Sequence, residues 1–208
     1  MYNPRSYRNE NPDALFELIR RYNFAALFTQ RDGESFATHL PFMVDADRGP
    51  HGTLIAHMAR ANPHWRAFEG APPSLVVFMG PHAYISPAWY EEQETVPTWN
   101  YAVVHALGTP RLVTDDAALR AMVMRLVENH EAPLGRPWDL RKAEAVIDAE
   151  LKGIVGFEIP IDTLEGKFKL NQNRTRADQE GVVRALETSS DPTEREVARL
   201  MRENLGGS

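Results

Sequence analysis

Apolar and polar positions along the chain change period several times, and each change marks an element. Asn11-Pro12-Asp13 offers a capping side chain, a proline suited to the first helical position and an acid for the first turn. Leu15, Phe16, Leu18, Ile19 and Tyr22 then share one stripe at helical spacing, which predicts an amphipathic helix. Beyond it, Phe24 to Gln30 is a short apolar run, Arg31-Asp32-Gly33-Glu34 carries a hairpin signal, and Ser35 to Met43 reads as the returning strand. Asp45 to Gly52 is a second turn and Thr53 to about His57 a third strand, completing a β-meander. Asn62-Pro63 repeats the cap-plus-proline signature for a short helix that ends at Gly70, with Phe68 and Trp65 expected on its core side.

Ser74 to Met79 reads as a buried strand broken by Gly80-Pro81, with Ala83 to Ser86 extended again. Glu91-Glu92-Gln93-Glu94 reads as a solvated loop tip. Trp99 to Gly108 and Arg111 to Thr114 are two further strands, separated by Gly108-Thr109-Pro110. A helix is predicted from Asp116 to about Glu131, with Leu119, Met122, Val123, Leu126 and Val127 on one face, and a second from Leu140 to Leu151. Ile154 to Ile161 returns as a strand, Asp162 to Asn173 reads as irregular or short extended chain, and Asp191-Pro192 opens a last helix reaching about Leu205. The fold class is therefore mainly β with peripheral helices (α+β), a small antiparallel barrel with helical decoration.

Composition narrows the classes. The 208 residues are 43% hydrophobic and 25% charged, the balance of a soluble globular protein. No apolar run approaches the roughly 20 residues that span a bilayer, and the first residues lack a signal-peptide pattern, so a cytoplasmic protein is expected. With no cysteine, thiolate metal sites, iron–sulfur clusters and a cysteine nucleophile are excluded. The net charge of −6 argues against a dedicated nucleic-acid binder.

Nucleophile-elbow, phosphate-loop, dinucleotide and zinc-protease motifs are all missing, and the seven histidines include no pair at i, i+4. Three segments carry candidate chemistry. Between His57 and Trp65 a strand gives way to a helix start, and Arg60 with Asn62 would suit a phosphate there; alternatively Asn62 only caps the helix and Arg60 sits in water. From Gly80 to Tyr101 the chain concentrates aromatics, hydroxyls and prolines, which suits either a groove for a flat heterocycle or a packed barrel interior and dimer interface. Lys167 to Arg174 gathers three amides and three cations, either around a ligand edge or in a solvated loop.

These residues carry a resemblance. Met1-Tyr2-x-Pro4, His39-Leu40-Pro41-Phe42, His57-Met58-Ala59-Arg60-Ala61-Asn62-Pro63-x-Trp65, Ala83-Tyr84-Ile85-Ser86-Pro87-x-Trp89-Tyr90, Val96-Pro97-Thr98-Trp99-Asn100-Tyr101 with His105, and Lys169-Leu170-x-Gln172-Asn173 run in order along the chain, which resembles the PaiB family of FMN-binding negative transcriptional regulators. Asn171 departs from the serine expected of that family. The resemblance implies the FMN-binding split barrel, a six- to seven-stranded antiparallel barrel forming a homodimer with flavin at the interface. It implies FMN contacts from His57, Arg60, Asn62, Ser86, Trp89, Tyr90, Trp99, Asn100, Lys169, Gln172 and Asn173, and it supplies no catalytic residue to carry over; the unpaired histidines give no expectation of a metal site. The expected organisation is a flavin domain over 1–174, with helices inserted at 116–151, and a helical extension over 175–208.

Two functions compete: a flavin-binding regulator or redox sensor, and an FMN-dependent oxidoreductase or flavin reductase using NAD(P)H. Against direct DNA binding, Arg174, Arg176, Arg184, Arg195, Arg199 and Arg202 interleave with Asp178, Glu180, Glu187, Glu194, Glu196 and Glu203, the pattern of a salt-bridge-laced solvated helix.

Overall fold

The Asp-Gly signal makes the turn it predicts. In the computed structural model, which describes residues 1–70, 72–135 and 143–206, strands β2 (Phe24–Arg31) and β3 (Glu34–Pro41) form a hairpin with Arg31 opposite Glu34. Asp32 and Gly33 take φ of 52° and 82°, two successive left-handed residues whose twist matches that of the strands. The remaining strands are β1 (Arg8–Asn9), β4 (Met43–Asp45), β5 (Thr53–Ala59), β6 (Ser74–Ile85), β7 (Thr98–Gly108), β8 (Arg111–Val113) and β9 (Ile154–Lys169). They are hydrogen-bonded in the order β3-β2-β6-β7-β9-β5-β4, with β1 and β8 added beside β9. The sheet thus has nine strands rather than six or seven, on a path with two ends.

The chain divides into two compact units, Met1–Tyr22 with Phe78–His105 and Glu165–Ser208, and Asn23–Val77 with Ala106–Leu164. In the second, Phe157 of β9 lies opposite both Ala56 of β5 and Leu112 of β8. Its ring meets Phe42 edge-on at 6.2 Å and Phe68 at 5.1 Å, which makes it the centre of that core. Helix α2 (Asp116–Glu131), capped by Asp115, lays Leu119, Met122 and Leu126 against Met43 and Ile55. Helix α3 (Glu144–Glu150) follows; the predicted start of this helix at Leu140 lies outside the described residues.

In the first unit, α1 (Pro12–Arg21) begins as expected, with Asn11 accepting from the Asp13 N–H, and buries Leu15, Phe16, Leu18 and Ile19. The C-terminal region holds two packed helices, α4 (Arg176–Glu187) and α5 (Pro192–Gly206). Arg176–Glu180, Arg199–Glu196, Arg199–Glu203 and Arg202–Glu187 lace their outer faces as predicted. Their inner faces bury Val182, Val183, Leu186, Val197, Ala198 and Met201 completely.

Two local expectations are overturned and a third is narrowed. Gly80-Pro81 does not break β6; the exposed positions slip from Val77 and Met79 to His82 and Tyr84, so the dipeptide inserts one extra residue into the alternation, as a bulge does. Gly80 is needed there, because a Cβ would lie 2.9 Å from the Ala102 carbonyl oxygen. Of the two states expected for the stretch from Asp162, irregular or short extended, it takes the extended one up to Lys169 as the second half of β9, where Gly166 and Lys167 pair with Asn9 and Arg8 of β1. Trp65 is half-exposed on a 3₁₀ helix (Pro63–Phe68), its indole N–H donating to the Arg60 carbonyl; His64 takes the core position, 1% exposed.

Candidate functional site

The candidate residues fall into two groups, one in each unit, and each group is built from the backbone outward. At the end of β5 in the second unit, the Arg60 guanidinium is fixed by two carbonyls, Nε donating to Lys152 O at 2.9 Å and Nη2 to Ile154 O at 2.9 Å. Nη1 has no partner among the described residues, and Arg60 lines a groove of ≈ 560 Å³ together with Lys152, Arg120, Asp116 and Asp148. Asn62 does two jobs, its Oδ1 accepting from the His64 N–H at 3.0 Å and its Nδ2 donating to Thr38 Oγ1 at 3.1 Å. Thr38 Oγ1 also meets His64 Nδ1 at 2.7 Å, and the His64 ring lies between Phe36 and Phe68, each 5.5 Å away. His57, opposite Gly156 on β5, buries its Nδ1 without a partner among the described residues.

The first unit holds the other eight. Ser86 accepts from the Ala88 N–H at 3.2 Å and starts the turn Pro87–Trp89. Trp89 is half-buried, while Tyr90 is 3% exposed, its hydroxyl accepting from Asn171 Nδ2 at 2.9 Å and its ring covered by Arg174 at 4.8 Å. Trp99 and Asn100 are neighbours on β7 and so face opposite sides. Trp99 is 53% exposed with His82 and Tyr84 each 6.1 Å away, whereas Asn100 is fully buried with its amide against Met201 Sδ at 3.4 Å. Lys169 Nζ donates to Thr98 Oγ1 and, at 2.6 Å, to Trp99 O, joining β9 to β7. Gln172 folds back on its own strand, accepting from Leu170 N–H and donating to Phe168 O, and Asn173 is exposed.

Asn171, Thr98, Thr38 and Arg174 are not among the predicted site residues although each holds one of them in place. For Asn171 the signal was its departure from the expected serine, which the structure explains: its φ is 63°, a region that asparagine enters more readily than serine, and its amide reaches the buried Tyr90 hydroxyl. The segment from Lys167 to Arg174 is accordingly not a solvated loop: Lys167, Phe168, Leu170 and Asn171 are buried, while Lys169, Gln172 and Arg174 are half-buried and Asn173 is exposed.

Burial dominates the local electrostatics. It holds His57, His64 and His105 below the ordinary imidazole value of 6.5; for His105 the N-terminal ammonium adds to it and Glu165 opposes it. A base whose folded-state pKa is depressed binds fewer protons folded than unfolded. Stability is therefore full above about pH 6.5 and falls as pH drops from there towards the folded-state values. Thermal unfolding followed from about pH 7.5 down to 5.5 is expected to show a falling midpoint; a flat profile would mean that the three imidazoles are solvated in the folded protein.

An open nine-stranded antiparallel sheet with helices packed beside it is the architecture of the flavin-binding split barrels. The structure of the FAD and heme binding protein from Mycobacterium smegmatis superposes with a TM-score of 0.61 at 18% identity, covering 84% of this chain and 78% of that one. The chain belongs to the family described as "Putative FMN-binding domain", whose model matches residues 1–163, and within it to the PaiB type. It is 35% identical over 207 residues to "Protease synthase and sporulation protein PAI 2" of Bacillus subtilis, covering 99% of this chain and 98% of that relative. An uncharacterized protein of Emericella nidulans is 30% identical over 203 residues, covering 80% of this chain and 81% of its own length. FMN is the cofactor of this family. No helix among the described residues is long and apolar enough to cross a membrane.

Proposed function

We propose that the protein is a PaiB-type negative transcriptional regulator or redox sensor that holds FMN between two copies of the chain. The observation that carries this reading is Arg60, a guanidinium fixed by two backbone carbonyls with one nitrogen left over, at a turn that also presents the Asn62 amide. A fixed cation suits a phosphate because little side-chain freedom is lost on binding. The Nδ1 of His57, three residues earlier, is a second polar group without a partner among the described residues. Bound FMN supplies reversible one- and two-electron chemistry. Around it, Arg60 and Asn62 would bind the phosphate, Trp99 would offer a ring face, and Ser86, Trp89, Tyr90, Asn100, Lys169, Gln172 and Asn173 would shape and orient the ring's surroundings.

The dimer is supported by an outward sheet face that is apolar where a one-sided antiparallel sheet would be polar. Phe24 (66% exposed), Ala26 and Phe28 (42% exposed) of β2 stand on it, with Val77 opposite Ala26 and Leu75 opposite Phe28. Phe28→Glu is expected to convert a dimer into a monomer in sedimentation experiments, because burying one carboxylate costs more than the apolar contact it replaces; an unchanged dimer would move the interface elsewhere.

Arg60→Ala tests the cofactor site. FMN affinity is expected to fall about tenfold to a hundredfold, the worth of a hydrogen bond to a charged group. Unchanged FMN affinity with an intact circular dichroism spectrum would overturn the phosphate assignment. The exposed Trp99, flanked by His82 and Tyr84, favours a second reading as an NAD(P)H-dependent flavin reductase, since it offers a stacking surface to a nicotinamide. NAD(P)H consumption above that of free FMN would select it. Direct duplex binding is not part of either reading: the net charge is −6, and Arg176, Arg199 and Arg202 are already ion-paired. A salt-dependent, site-selective DNA complex would contradict this.

A further inference from the structure

Lys169 is a lysine with two neutral partners. Its Nζ donates to the Thr98 hydroxyl and to the Trp99 carbonyl, lies 6.0 Å from the Tyr7 ring, and has no carboxylate among its partners in the described residues. On β9 it shares a face with Lys167, two residues away, whose own Nζ donates to Tyr2 O at 3.0 Å and lies over the Tyr2 and Tyr101 rings. Two acceptors are what an uncharged amine needs for its two hydrogens, leaving its lone pair unengaged. Burial first, and Lys167 second, push Lys169 below the usual lysine range. Desolvation and a neighbouring cation are the two ways in which proteins turn a lysine into a nucleophile. Beside this amine stands Trp99, 53% exposed and flanked by the Tyr84 and His82 rings.

We propose that Lys169 is an amine nucleophile that condenses with planar aromatic aldehydes, which stack against Trp99, to form an imine. The Nζ lone pair attacks the carbonyl carbon and forms the C–N bond. The two amine hydrogens leave with the carbonyl oxygen as one water, and no electron changes hands. The Thr98 hydroxyl, in hydrogen-bond contact with Nζ, is placed to pass the proton. Imine formation itself needs no cofactor, but Trp99 and Lys169 are also residues of the proposed FMN site, so the step takes place on protein whose site is free of flavin.

The test uses the purified protein at neutral pH with 2-hydroxybenzaldehyde as probe, cyanoborohydride to trap the imine, and peptide mass mapping to locate it. The chain has four lysines, Lys142, Lys152, Lys167 and Lys169, and the exposed Lys152 serves as the internal reference. Trapping at Lys169 is expected to run about tenfold faster than at Lys152. Lys169→Arg, which keeps the donors and the charge, is expected to remove the fast adduct while leaving the thermal midpoint unchanged. Trp99→Leu is expected to slow trapping of the aromatic aldehyde at Lys169 without slowing that of propanal. Equal rates at Lys169 and Lys152 would overturn the proposal, and an aromatic rate unchanged by Trp99→Leu would overturn its stacking half.

Discussion

Phe157→Ala is expected to lower the unfolding free energy by about 4 kcal/mol, the middle of the range for a buried aromatic truncated in a core. Phe157 is fully buried, and its neighbours cannot close over the space it would leave. Ala56 and Leu112 are held on either side of it by strand pairing, and the Phe42 and Phe68 rings approach from other elements. For a chain of this length that loss corresponds to a fall in thermal midpoint of roughly 8–16 °C. Phe157→Leu, which keeps most of the volume, is expected to cost about 1–1.5 kcal/mol. If chemical denaturation showed Phe157→Ala and Phe157→Leu to be equally mild, the centre of this core would have to lie elsewhere.

Gly181→Ala sets two magnitudes against each other inside α4. Alanine is the better helix former by about 1 kcal/mol. Against that, a Cβ at residue 181 would lie 2.2 Å from the Trp89 carbonyl oxygen, a backbone atom that moves only with the chain around it. Relief requires a shift of more than an ångström in either α4 or the Pro87–Trp89 turn, and overpacking of this kind costs about 1–3 kcal/mol. The expected net result is a loss of about 1 kcal/mol after the propensity gain is offset. The shift would also reach Tyr90, which depends on Asn171 and Arg174 for its position. Near-ultraviolet circular dichroism, sensitive to Trp89 and Tyr90, should therefore change together with the thermal midpoint. A variant more stable than the parent would show that α4 does not press on Trp89.

Elements with local causes were legible in the sequence. The helix from Pro12, the Asp32-Gly33 hairpin, the amphipathic helix from Asp116 and the helix opened by Asp191-Pro192 all stand where their caps, turns and periods placed them. Elements whose cause lies far along the chain were not. The second half of β9 reads equally as irregular or short extended chain from its own residues; pairing with residues near the N-terminus decides for the extended state. The slip at Gly80-Pro81 was invisible because it is defined by the approach of the Ala102 carbonyl.

The candidate site divides in the same way. The ordered motifs were enough to show a resemblance to a flavin family, whereas the residues read segment by segment left each one open between a ligand site and plain structure. Which of those groups are free was decided only by tertiary structure. Arg60 and Asn62 are partly engaged by backbone and by Thr38, Asn100 is turned inward onto Met201, and Tyr90 is sealed beneath Arg174. The sequence by itself thus determined the elements and the chemical repertoire, because capping, turn formation and hydrophobic period act over a few residues. The tertiary structure decided which of those groups remain available to a ligand, because a buried polar atom takes its partner from whatever strand or helix packs beside it, at any distance along the chain.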